Sequence, residues 1–356
     1  MAMSARSILG ASGAAGLGVV AVALGVQAVE ARSPAPPFSL TGERFDLSTM
    51  QGRFAKQLTN CDPATLLARE PEIKRAQKLL ERFRSGEVTK AEASDRELWD
   101  ARKLVESAIH PDTKEIIPEP FRMSGYVPFN GPVCVAMMAS TSTPALLFWN
   151  WINQSQNALV NFFNRNASSP TSNDTLAVSY TAAVGAALTV AFGLSQGITR
   201  TCSPARAKQL MKFVAFPSSI VASCSNCYIM RRPEIAGGSN ITDKEGNVLA
   251  GGKRSSVAAK KAVEETVMSR AILQVPVFFL PAVTMSLPPI AALCAANPSV
   301  TIPLTTLITI ISFGFGLPGA VAYFPQFGSL PVEQLEPEIQ KELDADVTTV
   351  YYNKGL

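Results

Sequence analysis

The sequence predicts an all-α polytopic membrane protein with about five transmembrane helices, preceded by a helical soluble segment and an apolar N-terminus. Three observations lead to this prediction. Of the 356 residues, 47% are hydrophobic and only 17% are charged, against about a quarter charged in soluble domains. Five long stretches lack Asp, Glu, Lys, Arg and His, and the longest has 62 residues, whereas one membrane helix needs roughly 20. Residues 30–122 hold 32 of the 60 charged residues, 16 basic and 16 acidic.

This composition excludes several classes of protein. A dispersed net charge of +4 is too small for a phosphate-binding face, so no nucleic-acid partner is expected. One histidine and six scattered cysteines provide no set of metal ligands. Neither a catalytic constellation nor a glycine-rich phosphate loop is present. We therefore expect no enzyme, no metal and no cofactor, and a lipid bilayer as the surroundings.

Residues 1–32 form an apolar N-terminal extension. Only Arg6 precedes its charge-free run 7–29, although a transit peptide is usually rich in arginine. Two interpretations stay open: a targeting segment that is cleaved, or an extra apolar helix.

Residues 33–122 are predicted to be a soluble segment of short helices. Ser48 or Thr49 is the expected N-cap of the first helix. Pro71 begins an amphipathic stretch, and Ser94 opens a further helix. The pair His110-Pro111 is expected to end that helix, because a residue before proline disfavours helical geometry.

The membrane domain is predicted to cover 123–332, followed by a C-terminal tail over 333–356. The loop 231–269 is expected to contain a small hairpin around Gly246. Basic residues occur in the loops on both sides of the bilayer, so the orientation stays open. The predicted spans are 131–151, 176–198, 211–230, 270–292 and 300–324.

A stripe of asparagines is the most informative feature of this domain. The stripe consists of Asn150, Asn153, Asn157, Asn161 and Asn164. Their spacings of 3, 4, 4 and 3 place them on one helix face, and Gln154 widens the polar sector. An unpaired amide in hydrocarbon costs several kcal/mol, so the stripe should face protein, water or a polar solute. It either lines a path for a small polar solute or belongs to a helix lying among the lipid headgroups.

Ser223 and Asn226 in the third span are further candidates for solute contacts, although such residues often only bond a neighbouring helix. The prolines of the fourth span, Pro276 and Pro281 among them, predict a broken helix. Lys212 and Arg270 lie at the ends of spans, and no other acidic or basic residue occurs within one, which argues against a proton relay.

Several motifs resemble those of the sideroflexin family over about 40–356. The motifs are His110-Pro111-Asp112-Thr113, Phe121-Arg122-Met123-Ser124-Gly125-Tyr126-Val127-Pro128, Trp151-Ile152-Asn153-Gln154-Ser155-Gln156-Asn157-Ala158 and the terminal Tyr352-Asn353-Lys354-Gly355-Leu356. The resemblance implies a multi-pass protein of the mitochondrial inner membrane that transports serine or similar small amino acids. It also implies citrate as an alternative substrate.

An amide-lined path without charge suits a neutral zwitterion better than citrate, which would need basic residues at the site. We therefore expect serine before citrate. A hypothesis from another class stays open, namely a non-transporting membrane subunit or assembly factor of a respiratory-chain complex that docks through its soluble helices.

Overall fold

The computed structural model describes residues 5–90, 92–110, 113–164, 173–244, 246–325, 327–344 and 346–354. It confirms the all-α polytopic class, because the described chain is mainly helical. The segments long and apolar enough to cross a membrane are Ser12–Arg32, Ala177–Thr201, Pro204–Gly237, Ser256–Thr284 and Pro298–Tyr323. Their number agrees with the predicted number of spans, but the segments themselves differ from the predicted ones. The N-terminal helix is included, and the range 131–151 is not.

The helices, in chain order, are α1 (Ala5–Arg32), α2 (Met50–Asn60), α3 (Glu70–Ser85), α4 (Asp95–Ala108), α5 (Gly131–Ala139), α6 (Thr143–Phe163), α7 (Asn173–Thr201), α8 (Pro204–Met211), α9 (Ala215–Gly237), α10 (Ser256–Gln274), α11 (Leu280–Thr284), α12 (Pro288–Ala296), α13 (Thr301–Tyr323) and α14 (Pro337–Gln340). The π-helical turns Tyr126–Asn130 and Val275–Phe279 lead into α5 and α11. Two antiparallel pairs are formed by β1 (Ser239–Asn240) with β2 (Arg254–Ser255) and by β3 (Phe327–Pro331) with β4 (Thr349–Asn353).

The apolar N-terminus forms an extra helix, α1, that packs lengthwise and in parallel against α13. Close approach requires glycine, because a Cβ added at Gly18 would lie 2.5 Å from Cγ2 of Ile310. The facing pairs are Gly10 with Pro303, Gly18 with Ile310 and Gly25 with Phe315. As the chain stands, α1 is therefore an integral part of the bundle.

The end of α1 is tied to the soluble segment by an ion-pair network. Glu30 Oε1 accepts a hydrogen bond from Lys103 Nζ at 2.9 Å, and the same ammonium group lies 2.7 Å from Asp62 Oδ2. Arg53 of α2 donates from Nε to the carbonyl of Ala322 at 2.8 Å. Helices α2 and α4 therefore cover the end of the bundle at which α1 and α13 finish.

The helix boundaries of the soluble segment agree with the sequence prediction. The Thr49 side chain accepts from Gly52 N at 3.0 Å and caps α2. Ser94 and Glu97 form a capping box at the start of α4. That helix ends at Ala108, two residues before His110.

The predicted span 131–151 is not one helix. The chain leaves helical geometry at Ser140, where φ is −69° and ψ is 122°, and a new helix begins at Thr143. Pro144 explains the break, because its ring would clash with the carbonyl of Ser140 and it has no N–H to donate. Proline is tolerated in the first turn of α6, where that N–H would have no partner.

The two halves form a hairpin. Tyr126, before α5, donates to Gly314 O in α13 at 2.9 Å, whereas Thr143 at the start of α6 contacts Ser195 near the end of α7 at 3.2 Å. The far part of α6 then returns to the segment that precedes α5, since Gln156 Nε2 donates to Pro120 O at 2.8 Å. The chain therefore enters the bundle and comes back to the same side.

The other spans differ from their predicted limits mainly at their ends. The spans predicted at 176–198 and 300–324 correspond to α7 and α13. The one predicted at 211–230 corresponds to α9, which continues past Arg231 to Gly237. The predicted span 270–292 begins earlier, at Ser256, and stops at Thr284, because Leu287 is extended and Pro288 starts the separate α12.

The loop and the C-terminal tail fold together. The hairpin predicted around Gly246 is present as a bridge between Thr242 and Val248. Thr242 also pairs with Tyr351 of β4, so the tail extends the loop structure. Burial alone would raise the pKa of Glu336, but hydrogen bonds from Val257 N and Ser255 Oγ, among others, hold it below its usual value.

Candidate solute path

The side-chain amide of Asn150, the first residue of the stripe, makes its hydrogen bonds within the protein. Asn150 is fully buried, and its Nδ2 donates to Leu146 O in its own helix at 2.9 Å. Its Oδ1 accepts from Ser218 Oγ of α9 at 3.1 Å. Because the nitrogen and the oxygen of this amide each have a protein partner, Asn150 joins α6 to α9.

The next amides are buried but not satisfied. Asn153 and Gln154 are 3% and 4% exposed, and neither side chain makes a hydrogen bond within the described residues. They lie about one helical turn from Asn150, roughly 5 Å along the axis. On α9, Ser219 follows Ser218 directly, and its Oγ is buried without a partner. Unsatisfied polar groups of two helices therefore occur beside the contact that Asn150 makes.

The far end of the stripe anchors the hairpin. Asn164 Nδ2 donates to the carbonyls of Phe121 and Val160, both at 2.8 Å. Asn157, in the middle, is half-buried and makes no hydrogen bond within the described residues. Asn161 lies within α6, but its side chain is outside the described part of the structure.

A cavity of about 370 Å³ lies between α6, α7 and α9, a volume in the range of small-molecule sites. Tyr180 Oη in its wall accepts from Trp151 Nε1 at 3.0 Å and lies 2.9 Å from Ser155 Oγ. Asn226 also lines it, and Asn226 Oδ1 is buried without a partner. Ser223, half-buried one turn earlier, does not line it. The full lining is Ser155, Ala158, Leu159, Phe162, Ala177, Ser179, Tyr180, Asn226 and Met230.

The cavity and the amide stripe occupy different faces of α6. At about 100° per residue, Ser155 and Leu159 lie roughly opposite Asn157. The cavity is bordered by exposed apolar side chains, with Leu159 43% and Phe162 42% exposed. Its rim therefore faces the surroundings of the bundle, and the predicted residues divide into an interior group and a peripheral one.

Sequence reasoning gave no pairing for these residues. Ser218 and Ser219 stand in the predicted third span among other serines, and no local signal distinguishes the one that bonds Asn150. Tyr180 stands in an Ala-rich span without a polar pattern. Only the three-dimensional contact identifies them.

The described family-motif residues lie between α4 and α5 in the chain. His110 is buried, and its Nδ1 accepts from Thr113 N at 3.2 Å. Pro111 and Asp112 lie outside the described residues. Arg122 is buried, and its Nε donates to Ile117 O at 2.7 Å. Among the described residues, no group of three or more His, Cys, Asp or Glu side chains is placed to hold a metal ion.

A polytopic helical bundle with broken helices and buried, unsatisfied amides is typical of a membrane transporter. The chain belongs to the sideroflexin family, which is a family of membrane transporters, because the family model described as sideroflexins matches residues 39–356. This match excludes α1, in agreement with the sequence-based expectation that the apolar N-terminus is outside the family pattern.

Individual relatives agree with this assignment. The chain is 37% identical over 327 residues to sideroflexin-5 of Homo sapiens, covering 91% of this chain and 94% of the relative. It is 37% identical over 324 residues to sideroflexin-5 of Caenorhabditis elegans, with 90% and 96% covered. It is 34% identical over 325 residues to sideroflexin-1 of Mus musculus, with 90% and 98% covered. No solved structure matches the chain.

Proposed function

We propose that this protein carries serine or a similar small neutral amino acid across the mitochondrial inner membrane, along the interior face of α6. The observation that carries the proposal is the pair Asn153 and Gln154, at most 4% exposed and without a hydrogen-bond partner among the described residues. A buried polar group without a partner costs about 1–3 kcal/mol. The amide atoms of Asn153 and Gln154 keep some accessible surface, so water or a solute can reach and satisfy them during passage.

The chemistry of this wall favours a neutral solute. Amides donate and accept, so Asn153 and Gln154 can bond both a hydroxyl group and an ammonium or carboxylate group. No charged residue occurs in 143–163, 175–199 or 213–230. A tricarboxylate on this route would have no compensating charge within these helices, whereas a zwitterion has its own.

Uptake of labelled serine into liposomes tests the proposal. We expect Asn153→Leu and Asn157→Leu to lower the initial rate about tenfold, the equivalent of roughly 1.4 kcal/mol and one lost hydrogen bond. Gln196→Leu is the matched control, since it removes an amide from α7 away from both candidate surfaces, and it should transport normally. Size-exclusion profiles check that each variant is folded.

Normal serine uptake by folded Asn153→Leu and Asn157→Leu would contradict the amide path. Citrate uptake in place of serine uptake would assign the alternative substrate. Absence of both, together with stable co-purification of a large complex, would favour the respiratory-chain subunit or assembly factor, which stays a prediction from the sequence.

A further inference from the structure

Arg122 carries a buried positive charge without a counter-charge. The side chain is 5% exposed. Its Nε donates to Ile117 O at 2.7 Å, while its Nη1 is buried and has no partner. Among the described residues it forms no ion pair, and Glu119 attracts it only through space.

This arrangement is costly unless an anion completes it. The effective penalty for burying one ion is several kcal/mol, and an unpaired buried charge is strongly destabilising. The one backbone carbonyl fixes Nε and therefore the direction of the guanidinium plane. Neither terminal amino group makes a hydrogen bond within the described residues, and their fork matches the two oxygens of a carboxylate.

The surroundings of Arg122 connect it to the amide stripe. Its chain neighbours Pro120 and Phe121 accept the hydrogen bonds of Gln156 and Asn164, so Arg122 lies where the α5–α6 hairpin closes. Two residues further along, Ser124 is fully buried, and its Oγ has no partner. A cation and a hydroxyl group, both buried and both unsatisfied, therefore stand at the end of the stripe that faces the soluble segment.

We propose that Arg122 binds the carboxylate group of the transported solute, with the Ser124 hydroxyl beside it as a second donor. This inference rests on the proposed function and adds the chemical class of the ligand, a solute with one carboxylate. One guanidinium neutralises the single carboxylate of a neutral amino acid and leaves the charge of a tricarboxylate uncompensated. From this position the solute would pass on to the amides of α6.

The test compares serine with serinol, in which the carboxylate is replaced by a hydroxymethyl group. In wild-type liposomes, unlabelled serine should compete with labelled serine, and serinol should not. Arg122→Gln should raise the KM for serine at least about tenfold, the loss of a charged hydrogen bond of roughly 1.5–3 kcal/mol, and should abolish the discrimination between serine and serinol. Arg200→Gln is the matched control, because it removes an exposed arginine at the C-terminal end of α7. It should change neither the KM for serine nor the discrimination between serine and serinol.

Arg122→Lys is a second variant for the case in which Arg122→Gln does not fold. Lysine keeps the positive charge but lacks the two terminal amino groups that match a carboxylate. We expect an intermediate KM and retained discrimination. An unchanged KM in folded Arg122→Lys and Arg122→Gln, or intact discrimination in folded Arg122→Gln, would overturn the proposal. A merely structural role would lower the yield of folded protein without changing the preference for serine over serinol.

Failure of the proposed function gives a different pattern. If the wild-type protein takes up no amino acid, carboxylate binding at Arg122 can still be tested by thermal unfolding in the presence of acetate, which serves as a monocarboxylate probe. Acetate at equal ionic strength should then stabilise wild type and Arg200→Gln but not Arg122→Gln. Equal shifts in all three proteins would show that Arg122 does not bind a carboxylate.

Discussion

Helices α6 and α13 have nearly the same length, 21 and 23 residues, but differ in the partners of their hydroxyl and amide side chains. In α13, the hydroxyl groups of Thr305 and Thr306 donate to carbonyls one turn earlier, at 2.7 and 2.8 Å. In α6, Asn150 takes a donor from another helix, and Asn153 has none.

The difference follows from the backbone of a helix. Each helical carbonyl can accept a second hydrogen bond, so a hydroxyl group can find an acceptor in its own helix. The backbone N–H groups are already used, and an amide oxygen must therefore find its donor elsewhere. Threonines in α13 accordingly indicate little about function, whereas a buried amide in α6 requires a second helix, a water molecule or a solute.

The largest effect is expected from a substitution in α1 that would clash with α13. Gly18→Leu would force a side chain into Ile310 and should destabilise the protein by about 1–3 kcal/mol. Gly16→Leu is the matched control on the same helix, because a Cβ there has nothing within 4 Å. Thermal unfolding in detergent measures both. Equal melting temperatures would mean that α1 does not pack on α13 as described.

A second pair of variants distinguishes the amide of α6 that bonds α9 from the amide of α6 that has no partner. Asn150→Leu removes the acceptor of Ser218 and should cost about 1 kcal/mol of stability. Asn153→Leu removes a buried amide that has no partner, so solute-free protein should be equally stable or more stable. The two melting temperatures should therefore move apart, and an equal decrease in both would remove the distinction between packing and solute-binding amides.

The smallest effect is expected in α13. Thr306→Val deletes a hydroxyl group that bonds only Ile302 O of the same helix. Stability and serine uptake should both stay within about 0.5 kcal/mol of wild type. A larger loss of uptake, measured in the same liposomes, would extend the solute path to α13.

Local patterns allowed much of the fold to be predicted. The cap at Thr49 and the capping box at Ser94 depend on residues only three positions apart, and the structure contains them. The charge-free stretches likewise indicated the class of protein, because hydrocarbon excludes charge wherever the chain crosses it.

The contacts that the sequence could not predict are non-local. Ser218 bonds Asn150 across 68 positions, and Tyr351 pairs with Thr242 across 109. The break at Ser140 was hidden because Pro144 is equally compatible with a kink inside one span. Arg122 was noticed as part of a motif, but its missing counter-charge is visible only when the packing around it is known.

The hairpin of α5 and α6 has a consequence for how the protein is made. Helix α6 is not among the segments apolar enough to cross a membrane alone. A segment of this kind enters a bilayer only when neighbouring helices shelter its amides during insertion. Helix α5 precedes it by three residues, and α7 and α9 follow it in the chain. We therefore expect α6 to be stably inserted only once α7 and α9 are in place, so the route for solute is completed after these helices are inserted.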